Sequence, residues 1–89
     1  MPRFSWDKQK AAANKRKHGV SFSEAASVFE DPFAQDLPDL AHGDRSNVLG
    51  LTRDLQLVVV VYAGIDNGVR IISARRATKH ERRQYEEDD

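Results

Sequence analysis

Two adjacent arginines, Arg75 and Arg76, are the residues of this chain whose surroundings best suit chemistry. Residues 69–74, just before them, form a short segment rich in β-branched side chains, which predicts a strand. Thr78 and Glu81 have the spacing of a capping box, which predicts a helix that begins at Thr78. Cations beside the free N–H groups of a helix start attract anions, so this stretch predicts a phosphate site.

A phosphate site of this kind suits metal-independent cleavage of RNA by its own 2′-hydroxyl group. The reaction needs a base for the hydroxyl proton, an acid for the leaving 5′-oxygen and cations for the crowded phosphate. Arginine suits the third role because its planar fork binds two phosphate oxygens. His80 and Lys17 are the candidate proton carriers, although a histidine at this position of a helix is as often simply solvent-facing.

The alternation of a regular strand places Arg70 and Arg76 on one side and Arg75 on the other. The two adjacent arginines could face one substrate only if a bulge or an early turn interrupted residues 74–77. Otherwise one arginine would bind phosphate and the other would anchor the fold. For the pair as a whole, the alternative is an ion pair with the acidic middle of the chain.

Other basic and aromatic side chains could extend the contact with RNA. The adjacent Lys17 and His18 could hold the RNA backbone, although a histidine at a helix end is more often part of the cap. Arg83 could continue a phosphate track along the last helix. Tyr85 could stack on a base, although such a tyrosine is more often a core or rim residue in a domain this small. The candidate RNA-binding residues are His18, Arg70, Lys79, Arg83 and Tyr85.

The charges are unevenly distributed, although lysine plus arginine and aspartate plus glutamate both number 14. Residues 3–17 hold six cations and one acid, and residues 70–83 again hold six cations and one acid. Residues 24–54 hold seven acids and two cations. If the two basic blocks meet in space, they form a cationic face that attracts polyanions. If they do not meet, each is a solvated helix face.

Length and composition limit the function classes. At 89 residues we expect one domain, over residues 1–89, with no room for a cofactor cavity. The absence of cysteine excludes disulfides and thiolate metal sites, and the three histidines lack metal-ligand spacing. The N-terminus lacks a signal peptide's apolar core, and the longest apolar run, residues 57–63, cannot span a membrane. We therefore expect a cytoplasmic protein with no cofactor, no metal and no membrane contact.

Local signals predict two helices before the strands. Asp7 can cap a helix over residues 8–17, which Gly19 ends as a left-handed residue. Ser21 and Glu24 form a second capping box, and the helix that they start stops before Pro32.

Four strands and a third helix follow. Short turns between the strands, above all Asp66-Asn67-Gly68, predict a four-stranded antiparallel sheet. We expect the helices to pack against one face, which gives an α+β domain of order ααββββα. The predicted strands are residues 34–37, 47–52, 55–63 and 69–74, and the last helix is residues 79–86.

Two long segments resemble the BrnT toxins of bacterial type II toxin–antitoxin systems. They are residues 4–32, FSWDKQKAAANKRKHGVSFSEAASVFEDP, and residues 69–87, VRIISARRATKHERRQYEE. The blocks WD…AAN..KHGVSF and ISARRAT..ER..YE are specific together, although neither is specific alone. The resemblance covers almost the whole chain in order, with a loose match over residues 35–51.

The resemblance implies a fold similar to RelE-type ribonucleases and a toxin that cleaves RNA to halt growth. It implies a ribbon-helix-helix antitoxin of the BrnA type, which binds operator DNA, and a complex that represses its own promoter. By position, Arg75 and Arg76 match family arginines expected to support RNA cleavage. Matches with less defined roles are Lys17 and His18 in the KHG element, and Glu81, Arg83 and Tyr85 in the last helix.

Two function classes therefore stand. The first is a metal-independent endoribonuclease toxin in which Arg75 and Arg76 stabilise the phosphate. The second is a module that binds nucleic acid or a protein partner without chemistry, which the lack of a paired catalytic histidine favours. The two classes would use the same cations, so cleavage of RNA in the presence of a chelator separates them.

Overall fold

A five-stranded mixed sheet with helices on both faces forms the protein in the computed structural model, which describes residues 3–87. The strands are β1 (Arg3–Ser5), β2 (Gln35–Asp36), β3 (Arg45–Leu51), β4 (Leu57–Ile65) and β5 (Gly68–Arg76). The helices are α1 (Lys8–His18), α2 (Phe22–Ala26) and α3 (Lys79–Glu87), with short 3-10 turns at Ser27–Glu30 and Pro38–Leu40.

The strands lie in the order β1-β5-β4-β3-β2. Strands β2 to β5 are antiparallel neighbours, as predicted, but β1 pairs in parallel with the first residues of β5, where Arg3 lies opposite Gly68. The predicted sheet of four antiparallel strands in a RelE-like order is therefore not matched exactly. The sheet has a fifth strand, and this edge strand is parallel to its neighbour. Strand β1 was not predicted because its three residues are too few to show an alternating pattern and because its partner, β5, lies far away in the sequence.

Strand β4 occupies the centre of the sheet, as its apolar sequence predicts, and its residues 57–60 are all buried. Val58 and Val60 face a cluster formed with α2 residues such as Phe22 and Ala25. Leu57 belongs to a second, smaller cluster on the opposite face. Because successive side chains of a strand alternate, one strand supplies both cores.

Helix α3 lies on the opposite face of the sheet from α1 and α2. Its Tyr85 packs against the second cluster, which includes Leu49, Leu57 and Val59, whereas α1 and α2 pack on β5 from the side of the first cluster. The prediction that all helices pack against one face is therefore wrong. The all-apolar sequence of β4 needs a cover on both sides, and α3 supplies the second one.

A β-bulge interrupts the pairing of β5 with β4. Val61 lies opposite Ser73 and Tyr62 lies opposite Ile71, so Ile72 has no partner in the register. The extra residue reverses the alternation before it. Arg70 consequently lies on the face of Arg75 rather than that of Arg76, which corrects the expectation from a regular strand.

The predicted helix caps are confirmed, but α2 ends at Ala26, and a 3-10 turn, Ser27–Glu30, completes the segment predicted as one helix up to Pro32. The Asp7 side chain accepts from the N–H groups of Gln9 and Lys10 at the start of α1, and Gly19 follows its end with φ of 73°. Ser21 caps α2 through the Glu24 N–H. Over residues 3–87, no helix has the length and apolar character needed to cross a membrane.

Candidate active site

Arg75 is bound by a carboxylate of its own chain. Its Nη1 and Nη2 donate to Oε1 and Oε2 of Glu81 at 2.8 and 2.9 Å, a two-pronged ion pair between β5 and α3. The Glu81 side chain is only 12% exposed, and the bond to Arg75 is the main reason that its pKa falls to about 2. The same bond raises the pKa of Arg75. Arg75 thus fixes the position of α3 on the sheet.

The start of α3 is occupied in the same way. The Thr78 N–H donates to Glu81 Oε1 at 2.9 Å and the Glu81 N–H donates to Thr78 Oγ1 at 3.1 Å, so the predicted capping box is present. The carboxylate of Glu81 therefore fills the anion position that the sequence suggested for a phosphate. One carboxylate binds both the helix start and Arg75.

Arg76 has the opposite surroundings. Within residues 3–87 its exposed guanidinium makes no ion pair. It lies against the turn that ends α1. Its Nη2 is 3.5 Å from the position that a Cβ atom on Gly19 would occupy. Lys17 and His18 directly precede Gly19, so the two basic blocks of the sequence meet here. The negative end of the α1 dipole also suits cations at this point.

Arg76 and the end of α1 with Lys17 and His18 form what we call the cationic junction. Asn14 holds its two sides together. Its side chain is buried, and its Nδ2 donates to the carbonyl oxygens of Ala74 at 2.8 Å and Val20 at 3.0 Å. Its Oδ1 accepts from the Ala74 N–H at 3.1 Å. The amide thus takes the place of a neighbouring strand along β5 beyond the end of β1. This pairing sets the end of α1 beside Arg76.

Tyr85 fastens the other end of α3 to the sheet. Its hydroxyl donates to Asp31 Oδ2 at 2.7 Å, and burial together with this bond raises the pKa of Tyr85 to about 12. Burial alone would raise the pKa of Asp31, but hydrogen bonds from the Leu51 N–H, Tyr85 and the Phe33 N–H lower it. The tyrosine ring packs in the second cluster. Its position is that of an anchoring residue.

Comparison with known proteins decides the family. The sequence model of the ribonuclease toxin BrnT of type II toxin–antitoxin systems matches residues 6–81. The chain belongs to the BrnT family. The crystal structure of the Brucella abortus ribonuclease toxin BrnT is similar, with a TM-score of 0.71 and 23% identity over 89% of this chain and 100% of that chain. No curated protein sequence matches the chain.

Membership of the BrnT family sets the broad function. The family consists of ribonuclease toxins of type II toxin–antitoxin systems, so the substrate class is RNA and the partner class is an antitoxin. The crystal structure, at its low identity, supports the fold.

The remaining predicted residues lie on α3 or near the start of β5. His80 is exposed in the first turn of α3 and lines a groove with the segment 36–40, on the face opposite α1. Arg83 lines a second groove with His80, and Lys79 is exposed on the same helix. Arg70 lies opposite Ser5 at the other end of β5, six residues or roughly 20 Å from Arg76. The structure therefore places the end of α1, which carries Lys17 and His18, beside Arg76, whereas His80 and Arg83 line grooves on the opposite face and Arg70 lies near the start of β5.

Sequence reasoning about single residues missed Asn14. It appears only as one letter of the AAN element in the resemblance to the BrnT family. A signal was present, since asparagine is unfavourable inside a helix unless its side chain finds a partner. The identity of that partner, the backbone of Ala74, could not be read from the sequence because 60 residues separate the two.

Proposed function

We propose that this BrnT-family protein is a metal-independent endoribonuclease whose site is the junction of Arg76 with Lys17 and His18. The observation that carries the proposal is the contrast within the arginine pair. Arg75 is engaged by Glu81, whereas the Arg76 guanidinium is exposed beside the basic end of α1. An exposed arginine among further cations can bind phosphate oxygens through its planar fork.

The proposed reaction uses the 2′-hydroxyl of the RNA as the nucleophile. Its oxygen attacks the adjacent phosphorus while the bond from phosphorus to the 5′-oxygen breaks. The hydroxyl proton passes to a base, and an acid returns a proton to the leaving oxygen. The products are a 2′,3′-cyclic phosphate and a free 5′-hydroxyl end. Arg76 would stabilise the charge that develops on the phosphate.

Lys17 and His18, at the end of α1 that lies beside Arg76, are the proposed proton carriers, and His80 is the alternative on the other face. Arg76 and Lys17 at the junction are cations, which repel a divalent metal ion rather than bind it. Among residues 3–87, no group of three histidine, aspartate or glutamate side chains is arranged for a metal. This donor set supports the metal-independent mechanism.

The proposed partner is a ribbon-helix-helix antitoxin of the BrnA type that binds operator DNA, and the proposed place of action is the cytoplasm. The partner would cover the cationic junction with acidic residues, so its affinity should fall as salt rises. An affinity that is indifferent to salt would count against this mode of inhibition.

Cleavage of RNA in the presence of a chelator tests the proposal. The wild-type protein should cut single-stranded RNA with EDTA present and leave cyclic phosphate ends, which mass spectrometry detects. Arg76→Ala should lose the activity, and Arg45→Ala, which removes an exposed arginine at the other end of the sheet, should keep it. Binding of RNA without strand scission would favour the binding module instead.

A further inference from the structure

The turn between β3 and β4 exposes a strained leucine. Leu55 has φ of 68°, in the left-handed region, and its surface is 76% exposed. Both features oppose stability, because a Cβ atom crowds the backbone in this region and an exposed leucine gains little from folding. Glycine or asparagine would fit the backbone better.

The surrounding turn is too well fixed to relax this strain. Thr52 is buried, its N–H donates to the Gln56 carbonyl at 2.8 Å, and its hydroxyl accepts from the Gln56 N–H at 3.0 Å. The Leu55 N–H donates to the Thr52 carbonyl at 3.0 Å, and the Arg53 N–H donates to Ser27 Oγ at 2.8 Å. Strain that the surrounding structure maintains is concentrated at ligand-binding positions.

The turn lies at the same end of the sheet as Arg76. Val58 is the register partner of Arg76, and the Ala77 N–H donates to the Leu57 carbonyl at 2.9 Å. Leu55 precedes Leu57 by two residues, a span of at most roughly 7 Å. A polymer whose phosphate binds Arg76 therefore has a neighbouring unit within reach of this leucine.

We propose that Leu55 contacts the face of an unstacked base next to the phosphate held by Arg76. The inference rests on the proposed function and adds a specificity residue to it. The exposed guanidinium of Arg76, which makes no ion pair within residues 3–87, favours a nucleic acid as the occupant, even though Asp54 lies beside the leucine. Single-stranded RNA offers bases that can leave the stack and pack their faces on protein side chains. A rigid turn presents the leucine without further loss of entropy on binding.

Stability and RNA contact should respond in opposite directions to Leu55→Asn. The melting temperature should stay equal or rise, because asparagine tolerates the left-handed region. Affinity for a fluorescent single-stranded oligoribonucleotide of mixed sequence with 2′-O-methyl riboses, which resists cleavage, should fall roughly fivefold or more. The value of kcat/KM on the unmodified oligoribonucleotide should fall in parallel. Ile65→Asn is the matched control, since it replaces another exposed apolar residue at the far end of β4 and should leave both values unchanged.

The outcomes separate this inference from the proposed function. If the wild type cleaves and Arg76→Ala does not, but Leu55→Asn binds and cleaves like the wild type, the leucine has no part in RNA contact and belongs to a protein partner or to none. If the wild type does not cleave at all, the proposed function fails, and the affinity for the methylated oligoribonucleotide still decides the role of Leu55. Equal losses in Leu55→Asn and Ile65→Asn would also overturn the inference.

Discussion

Arg75 and Arg76 are neighbours in sequence but have opposite surroundings. Arg75 faces α3 and is held by both carboxylate oxygens of Glu81, whereas Arg76 faces the end of α1 and has an exposed guanidinium. Strand alternation produces this division, because the backbone is regular after the bulge at Ile72. The contrast teaches that two identical neighbouring side chains in one motif can be divided between an internal ion pair and an exposed surface.

The largest expected effect is a double dissociation between the two arginines. Arg76→Ala should lower kcat/KM for RNA by about 100-fold or more, since it removes phosphate stabilisation, and should leave the melting temperature unchanged. Arg75→Ala should lower the free energy of unfolding by roughly 2 kcal/mol, less than for a fully buried pair, because its side chain is 37% exposed. Activity assays and denaturant unfolding measure the two effects.

Arg76→Lys is the control for charge against geometry. It should recover only part of the activity, because lysine carries the charge without the planar fork. An equal loss of activity in Arg75→Ala and Arg76→Ala, at a temperature where both are folded, would contradict the division of roles. That result would mean that both arginines bind the phosphate.

Asn14 sharpens the comparison, since it belongs to the side of Arg76. Asn14→Ala leaves the Ala74 N–H and two carbonyls without their partner. The free energy of unfolding should therefore fall by about 3 kcal/mol. Because the end of α1 then loses its fixed position, kcat should also fall for the folded protein, with little change in KM. Asn47→Ala, at a half-buried asparagine of β3, is the matched control and should change neither. A fall in stability with normal kcat would limit Asn14 to the fold.

Acid should reveal the ion pair on the side of Arg75. The pKa of Glu81 is about 2 in the folded protein, against an ordinary value of 4.5. A carboxylate whose pKa is lowered in the folded protein stabilises the fold at pH values above its ordinary pKa. This contribution, at most roughly 3 kcal/mol, should therefore disappear as the pH falls from about 4.5 to 2. Denaturant unfolding across that range should show a steeper loss for the wild type than for Glu81→Gln. The control is Glu86→Gln, at an exposed residue of α3, which should lose stability like the wild type. If the stability of wild type and Glu81→Gln falls in parallel, the ion pair contributes nothing to stability.

The smallest expected effect concerns Tyr85. Tyr85→Phe should lower the free energy of unfolding by about 1 kcal/mol, since the hydrogen bond to Asp31 is lost. The raised pKa of about 12 means that this stabilisation is complete below pH 10 and disappears as the pH rises from about 10 to 12. Unfolding of both proteins across this range measures it. A weaker affinity for RNA with unchanged stability would instead assign the tyrosine to base stacking.

The sequence predicted those features that depend on neighbours along the chain. Asp7, Ser21 and the pair Thr78 and Glu81 cap their helices as expected, and Gly19 ends α1 with a positive φ. The apolar run of β4 gave its central place in the sheet. The family followed from two separated blocks of residues whose combination is specific, and the match over residues 6–81 confirms it.

The sequence by itself determined the helix caps, the central strand and the family, because each depends on residue types at fixed local spacing. Only the tertiary structure decided that Glu81 engages Arg75, that Ile72 forms a bulge and that α3 covers the second face of the sheet. These features depend on which surfaces remain uncovered once all strands have paired. The meeting of Arg76 with the end of α1 is of the same kind, since Asn14 joins segments 60 residues apart. Local pattern cannot specify such contacts, because packing and hydrogen bonding across the whole chain select them.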